Sequence, residues 1–229
     1  MAEFDALFFD MDGTLVENSS LMPAAFKQGF AEAGYDISID PWRGSGRTDY
    51  EILDIFLNDF DLSEERKAEE KEKIAGIIQR IVISRVEEKG LKALPGAVDL
   101  IAKLNEMKLY PGLLTGNMEV IVEPKLKAAG MKREDFLYGG FGDHSTCRAD
   151  TARKALNSAS AFLGHAADPE RCLVIGDTPN DIACARSIGA KALAVATGKF
   201  SEEDLQKHDP DFLLRDLSDI PAFLEIIGA

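Results

Sequence analysis

The apolar positions of this chain follow two alternating patterns. Residues 4–9 (FDALFF) form a short, mostly apolar run that breaks into Asp10-Met11-Asp12-Gly13. A run of that length ending in a polar turn reads as a buried strand. Further buried runs follow at residues 109–115, 136–142, 171–175 and 190–196, and polar turns such as Gly116-Asn117, Gly176-Asp177 and Thr197-Gly198 end three of them. Between them, apolar residues recur at helical spacing. This predicts helices at 97–107, 119–129, 150–163 and 180–188, with Gly130 and Gly189 as stops. Strands alternating with helices predict an α/β fold built on a parallel sheet.

Residues 17–93 break this alternation and read as helical throughout. Helices are expected at 22–33, ended by Gly34, at 49–58, and at 63–88 with Ser63 as N-cap. The run EERKAEEKEK in the third reads as a solvated face, because mixed charges at helical spacing stabilise an exposed helix. Leu94-Pro95-Gly96 then returns the chain to the sheet. The expected organisation is an α/β core from residues 1–16 and 94–229, with a helical unit from 17–93 inserted after the first strand.

Composition narrows the possible roles. With 229 residues, 45% hydrophobic and 29% charged, the chain can bury a sizeable core without disulfides. A net charge of −14 opposes binding to nucleic acid or to anionic membranes. No apolar run approaches the length needed to span a bilayer. The start, MAEFDALFFDMDG, has no basic segment followed by an apolar one, so it does not read as a signal peptide. Cys147, Cys172 and Cys184 are odd in number and lack metal spacing, and Cys172 falls in an apolar run. A reducing, cytoplasmic setting is expected, with no nucleic-acid or membrane partner and with monomer or homodimer left open.

Chemistry-bearing residues gather at the carboxyl ends of the predicted strands, the edge where open parallel sheets bind ligands. Asp10 and Asp12 follow the first strand, Thr115-Gly116-Asn117 the second, and Asp177 with Asp181 the fourth. Four carboxylates converging on one edge repel unless a cation lies among them. Oxygen ligands suit a hard ion, and Mg²⁺ is the usual choice beside phosphate. A carboxylate is also a competent nucleophile towards phosphorus.

FFDMDGTLV resembles the first motif (DxDGTL) of the haloacid dehalogenase superfamily. LLTGN is similar to its second motif, and VIGDTPNDIACARSIGA to its fourth (GDxxxD). The resemblance spans residues 4 to about 198 with the motifs in order. It implies a doubly wound, Rossmann-like sheet with a helical cap of the C1 type inserted after the first motif. It further implies a Mg²⁺-dependent phosphatase acting through an aspartyl-phosphate on a small phosphorylated metabolite. Asp10 would be nucleophile and metal ligand. Asp12 would be general acid and base, with its carbonyl on the metal. Thr115, Gly116 and Asn117 would bind the phosphoryl group, and Asp177 and Asp181 would complete the metal site.

The third motif, normally a Lys near the start of the helix before the fourth strand, departs from the pattern. In GDHSTCRADTARKAL the candidate cation is Arg148, just before the helix, with Lys154 as its rival. In the cap, WRGSGRTD (residues 42–49) resembles the substrate-specificity loop of phosphoglycolate-phosphatase-like members. There Gly46, Arg47 and Thr48 are candidates for substrate contact, against the plainer reading of Arg43 and Arg47 as surface charges and Thr48 as a helix cap. A β-phosphoglucomutase-like phosphotransferase shares the core motifs. A dehalogenase would lack the acid at position 12, and a non-catalytic binding protein would have no need of the intact Asp set.

Overall fold

The computed structural model describes residues 3–17, 20–39, 46–145 and 147–229. Trp42 and Arg43 of the cap loop therefore lie outside the described residues. The elements follow in chain order: β1 (Ala6–Phe9), α1 (Leu21–Glu32), α2 (Asp49–Leu57), α3 (Glu64–Lys89), α4 (Ala97–Glu106), β2 (Pro111–Leu114), α5 (Glu119–Ala128) and β3 (Gly139–Gly140). Then come α6 (Arg148–Leu163), β4 (Cys172–Gly176), α7 (Pro179–Ser187), β5 (Lys191–Val195), α8 (Glu202–Gln206), β6 (Phe212–Leu214) and α9 (Ile220–Ile226). The strands form one parallel sheet in the order β3-β2-β1-β4-β5-β6, with β1 between β2 and β4.

The period of two in each strand divides the core into two layers. Leu7, Phe9, Leu113, Leu173, Ile175, Leu193 and Val195 face α4, α5 and α9 on one side. Ala6, Phe8, Leu114, Cys172, Val174, Ala192 and Ala194 face α6 and α7 on the other. The register pairs like with like across β1 and β4: Leu7 with Leu173, Phe8 with Val174, Phe9 with Ile175. Small residues let α6 approach closely; Ala152, Ala155 and Ala159 are fully buried beneath it.

The helical insert has its own core. Phe26 and Phe30 of α1, Leu53 and Phe56 of α2, and Ile74, Ile78 and Val82 of α3 pack together and onto Met118 and Ile121 at the start of α5. Gly34 follows α1 in the left-handed conformation (φ +94°), which frees the helix to stop there. The charged run of α3 is mostly exposed, but Glu70 is buried and paired by Arg66 and Lys73. The plain solvated-face reading therefore fails at that one position.

Two sequence expectations need correction. The third strand is only Gly139–Gly140, not 136–142. Phe136 is spent closing a tight turn at Arg133–Asp135, and a side chain at Gly140 would strike the α6 backbone at Thr151 and Ala155. Helix α6 begins at Arg148, so that residue stands in its first turn rather than before it. Strand β6 and helices α8 and α9 carry too few residues to show a period. Among the described residues, no helix is long and apolar enough to cross a membrane.

Phe8 anchors the sheet where the site-bearing strands meet. It is fully buried and lies edge-on to Tyr138, with ring centroids 5.5 Å apart. Phe8→Ala is expected to cost about 3–5 kcal/mol of unfolding free energy, measured by urea denaturation.

Candidate active site

Every loop leaving the middle of the sheet at its carboxyl edge delivers a polar group to one place. Asp10, immediately after β1, is fixed by its N–H donating to the Ile175 carbonyl at 2.9 Å. Asp177 follows β4. Asp181 is placed by the start of α7, where the Thr178 hydroxyl accepts from the Asp181 N–H while the Asp181 carboxylate accepts from the Thr178 N–H (3.0 Å) and hydroxyl (2.7 Å). This capping box, with Pro179 in the first turn, orients the very carboxylate the site uses.

Oxygens of Asp10, Asp177 and Asp181 lie within 4.8 Å of one another, and all three residues are buried. Burial raises the Asp10 carboxyl to about 7; Arg148 opposes the rise, while Asp181 and Asp12 add to it. Burial also holds Asp177 well above the carboxylate range, with Asp181 and Asp10 pushing the same way. One Asp177 oxygen, Oδ2, is buried with no hydrogen-bond partner among the described residues. Gly13, in the left-handed region (φ +96°), lies where any Cβ would collide with the Asp177 carboxylate. An orphaned carboxylate oxygen, three converging hard donors and a floor kept clear of side chains fit a small divalent cation.

Arg148 is the cation of this cluster. Its guanidinium donates to Asp10 Oδ1 at 2.8 Å and to Asp181 Oδ1, and its side chain is 10% exposed. Burial disfavours its charge, but Asp181 and Asp10 outweigh that cost and hold it protonated. Lys154 points elsewhere: its ammonium donates to the Asp143 carbonyl and to Ser145 Oγ, bracing the loop before α6.

The Asp12 carboxylate lies at the same edge but beside the three-carboxylate cluster rather than in it. It is held by Lys125 Nζ at 2.5 and 2.6 Å and by Asn117 Nδ2 at 2.7 Å. Asn117 also reaches Thr115: its side-chain amide donates to the Thr115 hydroxyl at 2.7 Å. Thr115 and Asn117 are therefore brought to the same cleft as Asp10 and Asp12, with Gly116 between them.

Lys125 is absent from the sequence-based site. A signal for it existed. Met118, Ile121, Val122 and Leu126 form the buried stripe of α5, and Lys125 occupies the next position of that stripe. A fully buried lysine on an apolar helix face needs a partner.

The cap loop lies directly on the second-motif turn. The Asp49 N–H donates to the Gly116 carbonyl at 2.8 Å, and Asp49 Oδ2 accepts from the Met118 N–H at 2.9 Å. Thr48 caps α2, accepting from the Glu51 N–H, and donates from its hydroxyl to the Ser145 carbonyl at 2.9 Å. A Cβ on Gly116 would collide with the Arg47 carbonyl. Gly46 sits with φ +66° against Thr178 and Asn180. The Arg47 guanidinium pairs with Glu51 and is half-exposed, so its side chain meets none of the site carboxylates. His144, exposed to solvent, lies tilted against the Tyr50 ring and 3.6 Å from Glu72.

Comparison with known proteins adds three findings. The family model described as haloacid dehalogenase-like hydrolase matches residues 4–189. A phosphoglycolate phosphatase from Synechococcus elongatus is 28% identical over 94% of this chain and 94% of its own. The pyrophosphatase PpaX of Oceanobacillus iheyensis is 23% identical over 97% and 96%. The crystal structure of CbbY from Rhodobacter sphaeroides in complex with phosphate superposes with a TM-score of 0.75 at 24% identity, over 95% of this chain and 96% of that one.

The buried acids make stability depend on pH. Asp49 is raised by burial to about 7, against hydrogen bonding from Met118, and Asp10 is raised to about 7 as well. With native values above the unfolded one of 3.8, the folded state binds more protons between about pH 4 and 7, so stability falls as pH rises through that window. Melting temperatures in chelator are expected to show that decline. A saturating divalent cation is expected to remove the Asp10 and Asp177 shares, whereas Asp49→Asn removes its own share with or without the ion.

Proposed function

The chain belongs to the haloacid dehalogenase-like hydrolases, and from that premise we propose that it hydrolyses phosphomonoesters of small metabolites through an aspartyl-phosphate at Asp10, with Mg²⁺ as cofactor. The observation that carries the reading is the buried Asp10–Asp177–Asp181 cluster beside Arg148, with Asp12 and Thr115 in reach of the same cleft. Relatives named phosphoglycolate phosphatase and pyrophosphatase support phosphate chemistry at this site.

The proposed roles follow from the geometry. Asp10 is the nucleophile: Arg148 grips only its Oδ1, so the other oxygen remains for attack on phosphorus. Arg148 restrains both Asp10 and Asp181 and, with its buried Nε unpaired among the described residues, retains a donor for an equatorial phosphoryl oxygen. Thr115 and the backbone N–H groups at Gly116 and Asn117 receive the remaining phosphoryl oxygens. Asp12, with its side chain 26% exposed, exchanges the proton with the leaving oxygen and then with water. Asp10, Asp177 and Asp181, with the Asp12 carbonyl, would hold Mg²⁺. The ion would supply the positive charge that lets a carboxylate and a phosphoryl group approach each other. The 46–49 loop, docked on Gly116 and Ser145, excludes water from the covered cleft. The helical unit of residues 17–93 is then a cap over the core of 1–16 and 94–229. Gly46 and Thr48 serve chiefly to seat this loop, and Arg47 reaches a substrate only by leaving Glu51.

Release of phosphate from p-nitrophenyl phosphate and a panel of small phosphomonoesters tests the reading. Wild-type turnover is expected to need Mg²⁺ and to stop in excess chelator. Asp10→Asn is expected to lower kcat on the order of 10³-fold or more while remaining folded. Absence of turnover on every ester, from folded protein with Mg²⁺, would overturn the phosphatase proposal.

The two candidate cations separate in the same assay. Arg148→Met is expected to cost about 10²–10³-fold in kcat, the scale of losing a preorganised donor to the transition state. Lys154→Met, which removes only a brace on the loop before α6, is expected to keep turnover close to wild type.

A further inference from the structure

Lys125 is the largest polar side chain with no exposure among the described residues, and all three of its ammonium hydrogens are spoken for: two by the oxygens of Asp12 at 2.5 and 2.6 Å, one by Asn117 Oδ1 at 2.8 Å. Asn117 completes a ring, since its amide donates to Asp12 Oδ2 and to Thr115 Oγ1, both at 2.7 Å. Rotation of the Asp12 carboxylate would break two or three charge-assisted bonds at once. Asp12 keeps 26% of its side chain exposed, while Lys125 has none.

Stability is a poor reason for this arrangement. A lysine withdrawn from water beside Ile121, Val122 and Leu126 carries a desolvation cost, and an apolar side chain of similar volume commonly serves a core as well or better. The placement makes sense where a carboxylate must be held in one orientation.

Building on the phosphatase reading above, we propose that Lys125 is a positioning residue that acts through Asp12, and that with Asn117 it fixes the rotamer from which Asp12 transfers protons. In the first half-reaction an Asp10 oxygen bonds to phosphorus, the ester P–O bond breaks with its pair on the leaving oxygen, and that oxygen takes the Asp12 proton. In the second, water oxygen bonds to phosphorus, the P–O bond to Asp10 breaks, and Asp12 takes the proton of the water. Lys125 touches neither the substrate nor the reacting atoms. Its loss therefore falls on kcat more than on KM, and more on poor leaving groups than on good ones.

The test is a double-mutant cycle on Asp12→Asn and Lys125→Met, with p-nitrophenyl phosphate and glycerol phosphate as good and poor leaving groups, in saturating Mg²⁺. First-turnover and steady-state rates are read together with melting temperature. Lys125→Met is expected to lower kcat on glycerol phosphate by about 10²–10⁴-fold, the range of general acid–base catalysis, with KM little changed and a smaller loss in the first turnover of the nitrophenyl ester. The double variant is expected to be no slower than Asp12→Asn alone. Losses that multiply in the double variant, or an unchanged ratio between the two esters, would overturn the proposal. Should Lys125→Met fail to fold, Lys125→Gln serves in its place, and a folded Lys125→Gln with wild-type rates on both esters would overturn it equally. Asp10→Asn in the same series reports separately on the nucleophile: activity there removes the underlying reaction, whereas the cycle speaks only of Lys125.

Discussion

The structure is organised around a problem of charge. Asp10, Asp12, Asp177 and Asp181 meet at one edge of a sheet whose interior is otherwise apolar, and three of them are almost wholly out of water. At the separations involved, repulsion between ionised carboxylates in a poorly solvated site amounts to several kcal/mol per pair. Two buried cations divide the load. Arg148 stands between Asp10 and Asp181, and Lys125 stands under Asp12. The division leaves Asp177 with an unpartnered oxygen and the cluster still short of positive charge. Such a deficit of positive charge fits a small divalent cation.

Helix α5 ties the pieces together. Met118 and Ile121 pack into the core of the inserted helices, while Val122 and Leu126 pack under the sheet. Lys125 emerges between those two contacts, and the N-terminal end of the same helix meets the cap loop through the Met118 N–H and Asp49. Seating of the cap and placement of Asp12 are therefore read from one rigid element. The loop itself is held by main-chain groups of Asp49, Gly116 and Ser145, by the Thr48 hydroxyl and by the Asp49 carboxylate.

Much of this was legible in the chain. The buried strands β1, β2, β4 and β5 and the helices between them announce themselves because each is a single uninterrupted period. Asp10, Thr115, Asp177 and Asp181 announce themselves because polar residues directly after such strands must lie at the ligand-binding edge. What escaped has physical reasons. The third strand was expected but its length was not, because its paired part is two glycines and glycine carries no hydrophobic period. Lys125 was hidden because it sits on the apolar face of a helix, where a lysine looks like a break in the stripe. The hold of Lys125 on Asp12 could not be read from the DxD spacing.

The misplacement of Arg148 is instructive in a different way. Expected before the helix, it lies in the first turn of α6, where the helix dipole gives a cation no help. Its position is tolerable only because Asp10 and Asp181 face it and hold its charge against burial. A residue placed against local preference and sustained by tertiary partners is a mark of a functional site, because nothing in the folding of α6 itself calls for it. The same argument applies to Lys125 on α5. The two cations are local misfits on opposite faces of the sheet, and the acids at its edge are what reconcile both with the fold.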